Sequence, residues 1–314
     1  MRLASVPARS GIRDSCQRPR IPDSFRTDRV LSVPIYLQYY FWLVAVSLTV
    51  FTLERIFQRK PPQEIVRAEF VQDLFWLVFN AQYVSWGIAI GMVHVGAWLD
   101  LSFFHLGLPK PESIGLLSRW PIWGQFLAFY VLRDFLEWNI HRMLHRVPWL
   151  WRFHKLHHSI EQLDWLSTFR AHWSEAIIYK VITYLPLVIL GVDSRVIFAI
   201  LVTSLFIQEL IHANLPWSFG PFRFLITSPR FHAWHHDMQM HGKGGQNFAI
   251  DLPIWDWMFG TVYWPKDTLA PARLGFLGMT HYPRSIWGRL WDPFFPEKKM
   301  PAADGAEPAD PKNG

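Results

Sequence analysis

The chain has 314 residues, of which 51% are hydrophobic, 17% aromatic and 18% charged, with 18 Trp and a formal charge of +6. That composition excludes collagen, coiled coil and bulk disorder, and its charged fraction lies below the roughly 25% usual in soluble domains. The single cysteine, Cys16, excludes an intrachain disulfide and a cysteine-built metal site. A basic excess suits nucleic acid or an anionic membrane surface; the distribution of apolar residues selects the membrane.

Residues 1–29 carry seven arginines and little hydrophobicity, and read as a disordered basic tail on the cytoplasmic side. Val30–Leu53 and Leu74–Leu99 then run 24 and 26 residues without Asp, Glu, Lys or Arg. A helix needs about 20 apolar residues to cross a hydrocarbon core of roughly 30 Å, so residues 30–119 are expected to form membrane helices. Trp42, Trp76 and Trp98 are expected near the interfaces, where aromatics gather. Trp120–Leu132 is charge-free for 13 residues before Arg133, Asp134 and Glu137. Val181–Val192 and Val196–Gln208, separated by Asp193, Ser194 and Arg195, predict a helical hairpin that dips in and returns. The expected fold is an all-α integral membrane protein with about four transmembrane or re-entrant helices and a histidine-rich cytosolic cap. Residues 120–265 form its catalytic part, and 266–314 a C-terminal extension that is disordered from Pro296.

Fourteen histidines occur, and ten form a pattern. His141 and His145 are four residues apart on one helix face. His154, His157 and His158 stand at i, i+3 and i+4, and His232, His235 and His236 repeat that spacing. His172 and His212 lie between the boxes, whereas His94, His105, His241 and His281 fall outside the pattern. Imidazoles so spaced converge on a metal. Their chemistry suits iron, zinc, copper or nickel alike, but their number exceeds the four ligands of one tetrahedral ion and points to two ions. A metal-bound imidazole gives its other N–H to a carboxylate or carbonyl. Candidates for that support are Asp134, Glu137, Arg170, Glu175, Asn214, Asn247 and Asp256.

The run from His141 to Ser159 resembles the sterol desaturase / fatty acid hydroxylase superfamily. So do Arg170-Ala-His172 with Glu175, His212-Ala-Asn214, Ser228-Pro-Arg-Phe-His232-Ala-Trp-His235-His236, and the close from Asn247 to Thr261. The resemblance covers about Phe126–Trp264. It implies a membrane, all-helical, non-haem enzyme with two iron ions that uses O2 and two electrons on a lipid: a sterol, fatty acyl chain, ether lipid or carotenoid. It implies ligation by His141, His145, His154, His157, His158, His172, His212, His232, His235 and His236, with zinc as a substitute in purified material. It also implies a separate electron donor, ferredoxin or cytochrome b5-like with its reductase, and histidine boxes on the cytoplasmic side where reductant is found. The sequence departs from the family at Trp173, where Pro is common, at Ala233-Trp234, and in Met238–Gln246 with Lys243.

A membrane zinc hydrolase would place a carboxylate base in a ligand helix, as in H-E-x-x-H; here Arg142 and Lys155 stand at those places. A haem carrier would need facing histidines in the spans, which contain only His94. A non-catalytic metal-binding scaffold would have shed box histidines. Nucleic-acid binding is disfavoured, because the arginines cluster beside membrane segments. Between hydroxylation and desaturation, and among the lipids, the sequence does not choose.

Overall fold

The computed structural model describes residues 34, 36, 38–59, 62–109, 119–242 and 244–295. The basic tail, Lys243 and the segment beyond residue 295 lie outside them.

The first charge-free run forms α1 (Tyr39–Phe57). The second forms a continuous rod of 36 residues, Phe70–His105, in which α2 (Phe70–Val78) passes through a π-helical turn (Phe79–Val84) into α3 (Ser85–His105). At 1.5 Å per residue the rod is about 54 Å long, well beyond the hydrocarbon thickness. Its two ends have different surroundings. Asp73 and Trp76 in α2 are buried, whereas α3 buries nothing against protein and exposes Trp86, Val93, Trp98 and Phe104. An apolar helix that buries none of its residues against protein needs hydrocarbon around it. Trp76 is therefore not an interfacial anchor, as its position suggested. It is enclosed with Leu156 and Leu290, because α2 belongs to the cap.

The third apolar stretch opens α4 (Ile122–Arg146), whose later turns bury Arg133, Asp134 and Glu137 before reaching the first histidine pair. Val147 then adopts an extended conformation and Pro148 begins α5 (Pro148–His158), where the missing N–H costs nothing. The expected hairpin exists, with longer arms than the charge-free runs indicated: α6 (Trp173–Ile189) and α7 (Ser194–His212). Its corner uses Gly191 at φ 68, and the Asp193 side chain caps the returning helix. The short α8 (Pro229–His235) is capped by Ser228, and α9 (Ile254–Phe259) and α10 (Ile286–Trp291) follow. The fold is all-α. Among the described residues the only strand-like pairing is an isolated bridge between Asp237 and Leu274. Among the described residues, three helices are long and apolar enough to cross a membrane: α1, the α2–α3 rod and α7.

Helix α7 packs on α1 and α4, and α4 on α5 and α6. Their ends meet in a polar cap held by buried charges. Arg67 donates twice to Asp164 at 2.7 Å and also to Asp73. Arg170, fully buried, donates to Asp73 at 2.5 and 2.8 Å, to the Ser159 carbonyl at 3.1 Å, and to Glu69. Arg289 of α10 closes on Glu69 at 2.6 Å. The network ties α2, the loop after α5 and the C-terminal helix together. Buried ions of this kind are stable only when paired, so each member depends on the others.

Candidate metal centre

Nine of the ten patterned histidines meet in the cap, in two adjoining groups. His141, His145, His154, His158 and His235 form the first; His157, His212, His232 and His236 form the second. Within each group the offered nitrogens lie within 4.8 Å of one another. The boxes are divided between the groups. In α5 the i, i+4 pair His154 and His158 enters the first group, while His157 turns to the second. The third box reverses this: His232 and His236 enter the second, His235 the first. Residues four apart share a helix face and a residue one position off does not, so each HxxHH box serves two centres, while His141 and His145 both serve the first. The rings of His158 and His236 stack at 4.5 Å, joining the groups.

Outer hydrogen bonds set the tautomers. His141 Nδ1 meets the Phe248 carbonyl at 2.6 Å, His157 Nδ1 that of Arg170 at 3.1 Å, His212 Nδ1 that of Gln208 at 2.8 Å, and His235 Nδ1 that of Gln246 at 2.9 Å. A carbonyl only accepts, so the proton sits on Nδ1 and each Nε2 is a bare lone pair. Two of these lone pairs, on His157 and His212, face each other at 3.3 Å, and the other Nε2 atoms close up in pairs. His141 and His154 approach through Nε2 at 3.1 Å, His158 and His235 at 3.0 Å, His212 and His232 at 3.0 Å, and His232 and His236 at 3.1 Å. Two nitrogens each about 2.1 Å from one ion, at angles from 90 to 109°, would lie about 3.0–3.4 Å apart. Converging lone pairs repel unless a cation lies between them, and the donor set fits a bound metal on that ground. Burial, reinforced for most by neighbouring imidazoles, holds the rings well below the usual histidine value in the first group, and burial takes His157 down to about 4. Neutral imidazole is the form that binds metal.

His172 does not join them. Its Nε2 donates to the Leu290 carbonyl at 3.0 Å, and its Nδ1 accepts from Ser174 N at 3.2 Å; both nitrogens are used, and the ring ties α10 to α6. His172→Ala should therefore leave bound metal unchanged when the purified protein is assayed by elemental analysis. A drop matching that of a box variant would return His172 to the ligand set.

The supporting residues divide similarly. Glu175 alone touches an imidazole, accepting from His154 Nδ1 at 2.9 Å, and burial raises its carboxyl to about 8. Arg170 acts through its carbonyl. Asn247, at φ 55, bonds Phe231 and Tyr263, and Asp256 accepts from Phe248 N and Ala249 N. Both shape the turn whose carbonyls, from Gln246 and Phe248, orient His235 and His141. Asp134 accepts from Leu252 N and Trp255 Nε1, and Glu137 pairs with Arg133; neither reaches a histidine. With Asp251 they form a third cluster of metal-like spacing, but the Arg133 guanidinium already supplies its cation. Asn214 engages Glu54 and Arg59 through its backbone. The backbone carbonyls and the Asp73–Arg170 pair were missed from sequence, since nothing in residue identity marks them.

An all-helical membrane scaffold in which nine imidazoles converge defines the histidine-box class of membrane proteins. Residues 126–261 match the fatty acid hydroxylase family, and the relatives that the chain resembles lie in the sterol desaturase / fatty acid hydroxylase superfamily. The chain is 27% identical over 257 residues to the ornithine lipid hydroxylase OlsE of Rhizobium tropici, covering 79% of this chain and 77% of that protein. It is 29% identical over 209 residues to the alkylglycerol monooxygenase of Homo sapiens, covering 63% of this chain but only 43% of that protein. A very-long-chain aldehyde decarbonylase of Oryza sativa subsp. indica is 29% identical over 172 residues, or 52% of this chain and 64% of that protein. No solved structure matches the chain.

Proposed function

We propose that the protein is a membrane lipid hydroxylase that holds two iron ions, one in each histidine group, and inserts one atom of O2 into an unactivated C–H bond. The observation that carries this reading is the division of each HxxHH box between two adjoining groups of converging imidazole nitrogens. Iron bound there would supply the oxidant that carbon acids of this weakness require. The balance is R–H + O2 + 2 electrons + 2 protons giving R–OH + H2O, with the electrons from a separate ferredoxin- or cytochrome b5-like donor and its reductase. The chain's own part is to fix the imidazoles through Phe248, Gln246, Gln208, Arg170 and Glu175, to keep them neutral and dry, and to aim one carbon. Relatives named as lipid hydroxylase and alkylglycerol monooxygenase support hydroxylation of a lipid over desaturation. The basic tail and the need for reductant support a cytoplasmic cap.

Comparison of the lipids of host cells with and without the gene tests the reading. The expected result is a species heavier by one oxygen. A species lighter by two hydrogens would mean desaturation instead, and purified protein that holds only zinc and consumes no O2 with reductant would overturn the proposal.

A further inference from the structure

His145 is the one histidine of the two groups that is only partly buried, and its Nε2, itself enclosed, has no hydrogen-bond partner among the described residues. It opens onto a cavity of about 290 Å3, near the lower end of ligand-binding cavities, whose wall also includes His158 and His235. All three belong to the first group; no histidine of the second lines it. The rest of the wall is mainly apolar, with Met238 and Phe276 prominent. Exposure marks the direction. Leu277 and Met240 are 72% and 69% exposed, while Gly245 and Gly275 are buried. A large apolar mouth of this kind faces hydrocarbon more stably than water.

The wall is fastened to the third histidine box. Met238 N donates to the Arg273 carbonyl at 3.0 Å, and Gly275 N to that of His236 at 3.0 Å, so Met238 and Phe276 hold a set distance from His235. Gly245, at φ 100, lies where a Cβ would meet the Phe248 ring at 3.0 Å and approach His145 Nδ1 at 3.7 Å, leaving no room for a side chain beside the imidazole. Met238 also lines a second, polar cavity of about 340 Å3 with Arg59, Glu161 and Arg273. Its thioether thus separates an apolar space from a polar one.

We propose that the apolar cavity receives a single extended hydrocarbon chain of the lipid and presents one of its carbons to the first histidine group, with Met238 and Phe276 determining which carbon stops there. The inference rests on the lipid-hydroxylase reading and adds the substrate class and the walls that select position. A flexible chain with no polar atoms needs steric stops on both sides to be oxidised at one place, and a short wall bonded to the ligand segment provides them.

The test uses the full-length enzyme in membranes, a palmitic acid bearing a diazirine on its chain, and peptide mass spectrometry after illumination. The expected label lies on the peptides holding Met238, Phe276 and Leu277. Met238→Trp, which fills the cavity, should reduce it about tenfold, or roughly 1.4 kcal/mol of binding, with bound metal per chain unchanged. Label confined to other regions, or label in the cavity that Met238→Trp leaves intact, overturns the proposal. Should Met238→Trp lose metal and fail to fold, Phe276→Ala decides: it should move the new oxygen along the chain or spread it over several carbons, and an unchanged position overturns the proposal. Oxygenated product without label here refutes the cavity alone. Label here without any oxygenated product refutes the hydroxylase reading and leaves the cavity standing.

Discussion

His235→Ala and His157→Ala should each lower bound metal from two ions per chain toward one and bring turnover to background. The two residues sit in different groups, so each variant empties a different centre. The effect should exceed the 10–100-fold in metal affinity or activity that about one lost supporting partner costs, because a ligand itself is removed. Elemental analysis alongside O2 consumption with reductant makes the measurement. Metal content at the parental level in both variants would remove the basis of the two-centre reading.

Arg170→Ala should be the most damaging substitution outside the histidines. It strips Asp73 and Glu69 of a buried cation and leaves the Ser159 carbonyl without its donor. Removing one partner of a buried pair costs about 3–5 kcal/mol, which for a chain of this size lowers Tm by about 10 °C. Loss of metal should fall on the second group, since the carbonyl of residue 170 orients His157. Arg170→Lys should not rescue it, because an ammonium cannot span two carboxylates and a carbonyl in one plane. Arg195→Ala is the control: its pair with Asp193 is exposed and should leave Tm where it was. A thermal scan in which Arg170→Ala behaves like Arg195→Ala would show that the cap does not depend on this network.

The membrane helices were legible because a run without charges has a length, and length is what hydrocarbon reads. The histidine boxes were legible because i, i+3 and i+4 is a helix-face spacing whatever the tertiary fold. Neither rule says which way a face turns once helices pack, and so the division of His157 from His158, and of His235 from His236, was hidden. His172 illustrates the same limit. Its motif context matches a ligand, yet a carbonyl from Leu290, far along the chain, takes its ring. Four of the imidazoles are oriented by backbone carbonyls, which carry no side-chain signature. Asp134 and Glu137, chosen for their spacing from His141, were claimed instead by Arg133, Trp255 and a backbone turn. Trp76 failed as an interfacial residue because the second apolar run serves two surroundings in succession.

That last feature joins the bilayer to the chemistry mechanically. The rod from Phe70 to His105 is gripped at one end by Asp73, while α3 buries no residue and meets α6 where Lys180 donates to Ser85. A change in the rod's tilt would act on Asp73, through it on Arg170, and so on the carbonyl that orients His157. The orienting carbonyls of His141 and His235 belong instead to the turn at Gln246–Phe248.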